Sequence, residues 1–243
     1  MPFHFEEGEI LLIDKPYQWT SFDVVNKIRS LVKYHLCIKK LKIGHAGTLD
    51  PLATGLLILC SGSYTKRIDE FQALEKEYTG TMVLGATRPS SDMETEIDKT
   101  FELSNINDKE IINMATTFVG NIKQVPPIYS AKKIGGERAY QFARKGIDIT
   151  MKAKEVFLKE FDITHIDLPK ISFRVVCSKG TYIRSLVKDF GEKLHNGAYL
   201  SALHRTRIGD FSINAALSME KIEEMIMQQK DNFLRSNSLN LKI

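Results

Sequence analysis

The amino-acid sequence predicts a single α+β domain that carries a basic insertion. Three observations lead there. Apolar runs of strand length recur along the chain, as at residues 9–14, 56–60 and 171–178. Between them lie segments with apolar residues at helical spacing, such as Val24, Val25, Ile28, Leu31 and Val32. No repeat, low-complexity tract or linker-like break divides the 243 residues, and a 43% hydrophobic fraction suffices for a sizeable core.

In order, residues 9–14 read as a buried strand that stops at Lys15-Pro16. Thr20-Ser21-Phe22-Asp23 fits a capping box opening the helix that begins at Val24. Residues 56–60 form the next buried strand, 64–74 read as a helix, and 78–84 alternate well enough for a strand. The stretch 87–98 is rich in Ser, Asp and Glu and reads as a polar surface loop. Asn107 opens a helix with Ile111, Ile112, Ala115 and Phe118 inward. Pro126-Pro127 ends any helix, Gly135-Gly136 interrupts the basic segment that follows, and 137–145 read as a short helix. Residues 156–166 and 171–178 read as paired strands. Thr181 caps a helix with Ile183, Leu186, Val187, Phe190 and Leu194 inward, closed by Asn196-Gly197. A strand over 203–212, a helix over 218–229 and a polar, frayed tail over 231–243 complete the chain.

The net charge of +4 permits a polyanionic partner without requiring one, so the distribution of charge is more telling. Residues 24–49 hold Lys27, Arg29, Lys33, Lys39, Lys40 and Lys42 and no acid. Residues 123–154 hold eight bases against only Glu137 and Asp148. One charge run is an ordinary solvated face, but two acid-poor runs flanking one candidate loop fit a phosphate backbone. Cys37, Cys60 and Cys177 are widely spaced without a Cys-x-x-Cys pair, which speaks against a disulfide framework or zinc site and fits a reducing cytoplasm. The six histidines show no metal-ligand spacing either. Glu6, Glu7 and Glu9 do not suit a signal peptide, and no apolar run approaches the ~20 residues of a membrane-spanning helix. A soluble cytoplasmic protein is expected.

Residues 44–55 carry the chemistry: Gly44-His45-Ala46-Gly47-Thr48-Leu49-Asp50-Pro51-Leu52-Ala53-Thr54-Gly55. The stretch has one carboxylate, one imidazole and three glycines, and runs straight into a buried strand. Glycines let a backbone approach a ligand or adopt positive φ, and Pro51 fixes the turn after the acid. An arbitrary Asp-Pro more often caps a helix or steadies a turn, whereas this one is presented beside a buried strand. The loop lacks the Gly-Lys-Ser/Thr ending of a phosphate-binding P-loop.

These residues resemble the tRNA pseudouridine synthase B (TruB) family, and the resemblance runs through nearly the whole chain. Leu11-Leu12-Ile13-Asp14-Lys15-Pro16 is similar to its opening strand and turn, 44–55 to its catalytic loop, and Lys76-Glu77-Tyr78 to the segment with its base-stacking tyrosine. Residues 124–131 resemble the start of its RNA-gripping insert, 177–186 its tyrosine-arginine motif, and 203–209 its late strand. The resemblance implies the pseudouridine synthase fold, a mixed and largely antiparallel sheet flanked by helices. It implies a catalytic domain over 1–217 with a thumb-like insert over 123–154, then a C-terminal helix and tail over 218–243. Many relatives add a small RNA-binding barrel (PUA-type) after the catalytic domain, and here it is expected to be absent or vestigial.

It also implies an enzyme that isomerises a uridine in the T loop of tRNA, position 55 in tRNA numbering, with neither metal nor cofactor. Asp50 matches the nucleophile and Arg184 the cation beside it, although on sequence alone Arg184 is equally a phosphate contact. Tyr78 matches the residue stacking on the flipped base, Tyr182 lines the pocket and is a candidate to take the C5 proton, and Leu203 closes it. His45 matches a residue that fills the opened RNA loop, and Lys15 with Pro16 is structural. Lys132, Lys133, Arg138 and Arg144 are candidate phosphate contacts of the insert. The tRNA T-arm is the expected partner, with no membrane and no obligate protein. Two other readings stay open: a catalytically silent protein that remodels tRNA, and a guide-RNA-dependent synthase.

Overall fold

Among the described residues the elements run β1 (Ile10–Lys15), α1 (Ser21–His35), β2 (Ile43–His45), β3 (Ala53–Ser61), α2 (Ile68–Ala73), β4 (Lys76–Leu84), β5 (Ala86–Thr87) and β6 (Lys99–Thr100). Then follow α3 (Asp108–Thr116), β7 (Gly120–Gln124), β8 (Lys133–Ile134), β9 (Glu137–Arg138), α4 (Ala139–Arg144), β10 (Lys154–Asp167) and β11 (Lys170–Cys177). The last elements are α5 (Ile183–Lys193), β12 (Ala198–Ile208), β13 (Phe211–Ser212) and α6 (Met219–Asn240). The structure, a computed structural model, describes residues 2–130, 133–134, 137–144, 147 and 151–240; at 133, 134, 138, 140, 143, 144 and 232–240 this is the backbone alone. The chain divides into two compact units, Met1–Leu74 with His204–Ile243, and Glu75–Leu203.

The first unit is built on β3, which pairs antiparallel with β1 (Ile13 opposite Leu57) and with β2 (His45 opposite Leu59). Successive β3 side chains point to opposite faces. Leu57 and Leu59 pack with Ile13, with Val24, Ile28 and Val32 of α1, and with Ile222 and Ile226 of α6. Leu56, Ile58 and Cys60 pack instead with Ala46, Phe71 and Ile208. Each fully buried aliphatic side chain contributes about 1.5–3 kcal/mol, so a segment hung on β3 hangs on the firmest part of the unit. The capping box of α1 is present: Thr20 Oγ1 accepts from Asp23 N at 3.0 Å and Thr20 N donates to Asp23 Oδ2 at 2.8 Å. The helix expected over 64–74 is divided into a 3-10 turn, Gly62–Arg67, and the short α2, because the Thr65 hydroxyl closes back on Gly62 O at 2.8 Å. The terminal helix runs on to Asn240, through most of the tail expected to fray.

In the second unit β4, β11, β10 and β7 pair in that order, all antiparallel. Phe118, Phe161, Phe173 and Phe190 lie with ring centroids 5.7–6.1 Å apart and fasten α5 to the sheet. Each such pair is worth roughly 0.5–1.5 kcal/mol beyond its buried area. Ile112, expected to face inward on α3, is 50% exposed, since Ile111, Ala115 and Phe118 already fill that face. The cap of α5 is Tyr182 rather than Thr181, whose hydroxyl turns back to Ser178 O at 3.0 Å. Within 123–154 the described backbone gives the β8–β9 pair and α4. Among the described residues no helix is long and apolar enough to cross a membrane.

Candidate active site

Asp50 and His45 belong to the first unit; Tyr78, Tyr182, Arg184 and Leu203 belong to the second. In the first unit, residues 46–52 connect β2 to β3 and present a half-buried Asp50. Ala46 N still bonds Ile58 O at 2.8 Å, and Ala53 N donates to Asp50 O at 3.1 Å, so the loop is closed at both ends. Gly55 has φ +102°, and a Cβ there would lie 2.4 Å from Arg205 O, so no other residue fits.

Three buried side chains fix this loop by its backbone. Ser21 Oγ accepts from Leu49 N at 2.9 Å and donates to Leu49 O at 3.2 Å. Lys15 Nζ donates to the carbonyls of Pro16 (2.8 Å), Trp19 (2.6 Å) and Pro51 (3.3 Å), thereby gripping the residue after the aspartate. Arg205 donates from Nε to Leu56 O at 2.7 Å, from Nη2 to Gly47 O at 3.2 Å and from Nη1 to Thr48 O at 3.5 Å. Lys15 is wholly buried and Arg205 is 1% exposed. Burial lowers the Lys15 ammonium to about 8; the Asp50 charge pulls it back up, and that of Arg205 pushes it further down.

His45 is held below the ordinary histidine range by burial first and by Arg205 next, so its imidazole is neutral near pH 7. Among the described residues its buried Nδ1 has no hydrogen-bond partner. Thr54 Oγ1 and His204 Nδ1 are hydrogen-bonded at 2.8 Å on the β3 and β12 sides of the same unit.

In the second unit Arg184 sits in the first turn of α5 with its side chain only 4% exposed. Its Nε lies 3.5 Å from Asp92 Oδ2, Nη1 donates to Ser90 O at 3.3 Å, and Nη2 donates to Tyr129 O at 2.8 Å. The stretch 87–98 is therefore not the open surface loop its composition suggests. Ser90, Ser91 and Asp92 are buried, Ser90 Oγ bonds Asp92 O (3.1 Å) and Thr95 Oγ1 (2.9 Å), and Leu200 N donates to Ser91 O at 3.0 Å. A guanidinium out of water needs acceptors on every side, and this polar segment supplies them.

Tyr182 is fixed through its backbone by the buried Gln124, which donates from Nε2 to Tyr182 O (3.1 Å) and accepts from Tyr182 N (2.8 Å). Lys154 Nζ lies 4.8 Å from the Tyr182 ring centroid and also donates to Gly180 O. Tyr78 is 8% exposed on β4, opposite Val175, and Leu203 is half-buried in β12. Lys132 and the side chains of Lys133, Arg138 and Arg144 lie outside the described residues. Among the described residues no three potential metal ligands come together. The sequence alone assigns no role to Arg205, Ser21, Asp92 or Gln124.

The fold is shared with pseudouridine synthases of known structure. The chain superposes on one in a Cbf5-Nop10-Gar1 complex with a TM-score of 0.69 at 25% identity, over 93% of this chain and 60% of that one. An H/ACA RNP bound to a substrate RNA containing 2′-deoxyuridine gives 0.65 at 25% identity, over 91% of this chain and 54% of that one. The model of the TruB family pseudouridylate synthase N-terminal domain matches residues 33–183, and that of the tRNA pseudouridylate synthase B C-terminal domain matches 184–240. The chain belongs to the TruB family. It is 52% identical to the tRNA pseudouridine synthase B of Phocaeicola vulgatus, covering 93% of this chain and 97% of that protein. It is 51% identical to that of Flavobacterium johnsoniae, covering 93% and 99%.

Proposed function

We propose that this protein isomerises one uridine to pseudouridine in the T loop of tRNA, position 55 in tRNA numbering, with Asp50 as the nucleophile. The observation that carries the reading is the aspartate loop itself. A half-buried carboxylate stands on a backbone held by Ser21, Lys15 and Arg205, and one of those cations feels its charge. A fixed, ionised carboxylate beside a cation suits covalent attack at a sugar or base carbon. Relatives about 50% identical over nearly their whole length bear the name of this activity.

The reaction breaks the N1–C1′ bond, turns the uracil and forms a C5–C1′ bond. The proton leaves C5, N1 gains one, and nothing is oxidised. Asp50 bonds covalently to the nucleoside and is released at the end. Tyr78 stacks on the flipped base, worth roughly 1–3 kcal/mol, and Leu203 closes the pocket. Tyr182 takes the C5 proton, and Arg184 supplies positive charge to Asp50. A neutral His45 fills space in the opened RNA loop without competing as a cation. The bases of 123–154 contact phosphates and position the arm.

The test is to incubate unmodified tRNA transcripts with the pure protein, without added cofactor, and to map pseudouridine at single-base resolution. One modified uridine in the T loop is the expected result. Modification confined to other positions, or none at all, overturns the reading.

A further inference from the structure

Lys33, Tyr34, Lys39 and Lys40 make a positively charged, aromatic-bearing surface that the site above does not use. All four side chains are exposed, Tyr34 to 77%. Lys33 and Tyr34 lie in the last turn of α1; Cys37, at φ 59°, then turns the chain towards Lys39 and Lys40. The neighbouring helix α6 adds Lys230, whose Nζ lies 5.9 Å from the Tyr34 ring centroid.

Helix electrostatics offers the plainer account, because cations in a last turn meet the negative end of the helix dipole. That covers Lys33. It does not cover Lys39 and Lys40, which lie beyond the helix, nor Tyr34, which stays exposed although His35 and Lys230 lie against its ring. Several exposed cations elsewhere are matched with acids, such as Lys27 with Glu223 (3.0 Å), Arg67 with Glu70 (2.8 Å), Lys159 with Glu75 (3.6 Å) and Lys221 with Glu224 (3.0 Å), while Lys66, Lys99, Lys109 and Lys179 stand singly rather than in a cluster around a ring. Among the described residues Lys33, Lys39 and Lys40 have no carboxylate partner, and residues 24–49 contain no acid at all.

Unbalanced lysines around an exposed ring match backbone phosphates next to a ribose or an unstacked base. Lys40 precedes Asp50 by ten residues, a span of at most ~35 Å even if fully extended, so one bound RNA can meet both. We propose that the C-terminal end of α1 and the loop after it are a second RNA-backbone contact for the substrate tRNA, separate from the 123–154 insert. The proposal rests on the tRNA reading above.

The test uses the full chain carrying Lys33→Gln, Lys39→Gln and Lys40→Gln together, with Tyr34→Ala made separately. Binding of an unmodified tRNA transcript is measured across a salt series, and single-turnover rate at saturating enzyme is measured beside it. The triple variant should lower the slope of log K against log salt by roughly 2–3 while leaving the rate unchanged. Tyr34→Ala should keep the slope and weaken binding roughly tenfold. An unchanged slope in the triple variant, or unchanged affinity in Tyr34→Ala, overturns the proposal. So does loss of self-association in the triple variant with tRNA binding intact, which assigns the surface to a second copy of the chain. A wild-type protein that binds tRNA but forms no pseudouridine breaks the functional reading instead, and the salt slopes still decide this one.

Discussion

In the first unit the buried cations Lys15 and Arg205 direct their hydrogen bonds to carbonyl oxygens; in the second, the buried Arg184 meets the Asp92 carboxylate as well as two carbonyls. The difference lies in what happens to the charge. A cation bonded only to neutral dipoles is solvated but not cancelled, so its field still reaches nearby groups. Lys15 accordingly feels Asp50. A cation that also meets a carboxylate has part of its charge balanced there, and the contact helps to fix its geometry. The first arrangement leaves its charge to act on a neighbouring carboxylate, and the second adds a fixed position for the arginine at the start of α5.

The largest effect is expected at Asp50. Asp50→Asn keeps the size and the backbone turn but removes the nucleophile, so the single-turnover rate should fall by more than about a thousandfold with tRNA binding retained. Substantial residual turnover would move the nucleophile elsewhere. Next comes Lys15, where the comparison can be broken by pH. Its amine titrates at about 8 in the folded protein against an ordinary value of 10.5. As pH rises through 8 the charge beside Asp50 is lost, and the rate should fall. The stability effect has the opposite sign. Between pH 8 and 10.5 the unfolded chain holds this proton and the folded one does not, so Lys15 contributes a rise in stability with pH of up to about 3 kcal/mol. Lys15→Met should lower the rate at neutral pH by up to roughly a hundredfold, because Pro51 loses an anchor. The variant should also lack both pH limbs. Rate and denaturation series at several pH values, run on both proteins, check this; a wild-type rate flat from pH 7 to 9 would remove Lys15 from the electrostatics of the site.

Features written into adjacent residues are legible in the amino-acid sequence. The Thr20 capping box occupies four consecutive residues, and the β3 strand is one apolar run. The glycine and proline punctuation of 44–55 points to a loop built to present Asp50. The long-range partners are not legible. Arg205 reaches Gly47 from 158 residues away, and Arg184 bonds Ser90 O from 94. No local period encodes such a pairing. The composition of 87–98 misleads for the same reason: Ser, Asp and Glu look solvated until a buried arginine is known to need acceptors. Thr181 looks like a cap, and only its bond to Ser178 O shows the hydroxyl facing away from the helix. Tyr78, Tyr182, Arg184 and Leu203 are candidates through family resemblance rather than through their spacing.

Asp92→Asn sharpens the comparison from the other side. The substitution is isosteric and removes one carboxylate from the surroundings of the buried Arg184, a loss of roughly 1–3 kcal/mol of stability. The expected fall in single-turnover rate is roughly tenfold, smaller than at Lys15, since two carbonyls still hold the guanidinium. If Asp92→Asn instead matched Asp50→Asn in rate with stability unchanged, the carboxylate would be part of the chemistry rather than a support for Arg184.

The smallest change in rate is expected at Gln124, whose side chain touches only the backbone of Tyr182 among its described partners. Gln124→Leu keeps the volume, strands the N–H of the half-buried Tyr182 and leaves Tyr182 O with Leu186 N (3.0 Å) as its donor, a loss of roughly 1–3 kcal/mol. If Tyr182 acts through its ring, the helix start must hold it to within a fraction of an ångström, and the rate should drop a few-fold once the protein is saturated with tRNA. Gln124→Glu separates the two roles. An ionised carboxylate still accepts from Tyr182 N but cannot donate to Tyr182 O, so it should recover part of the stability. Protonation restores the donor, so the recovered part should grow as pH falls through the carboxyl range. Denaturant unfolding at pH 5 and pH 8, with single-turnover rates on the same preparations, measures both. A Gln124→Leu protein that loses stability but keeps the full rate would show that Tyr182 is positioned by Lys154 and the 178–181 turn instead.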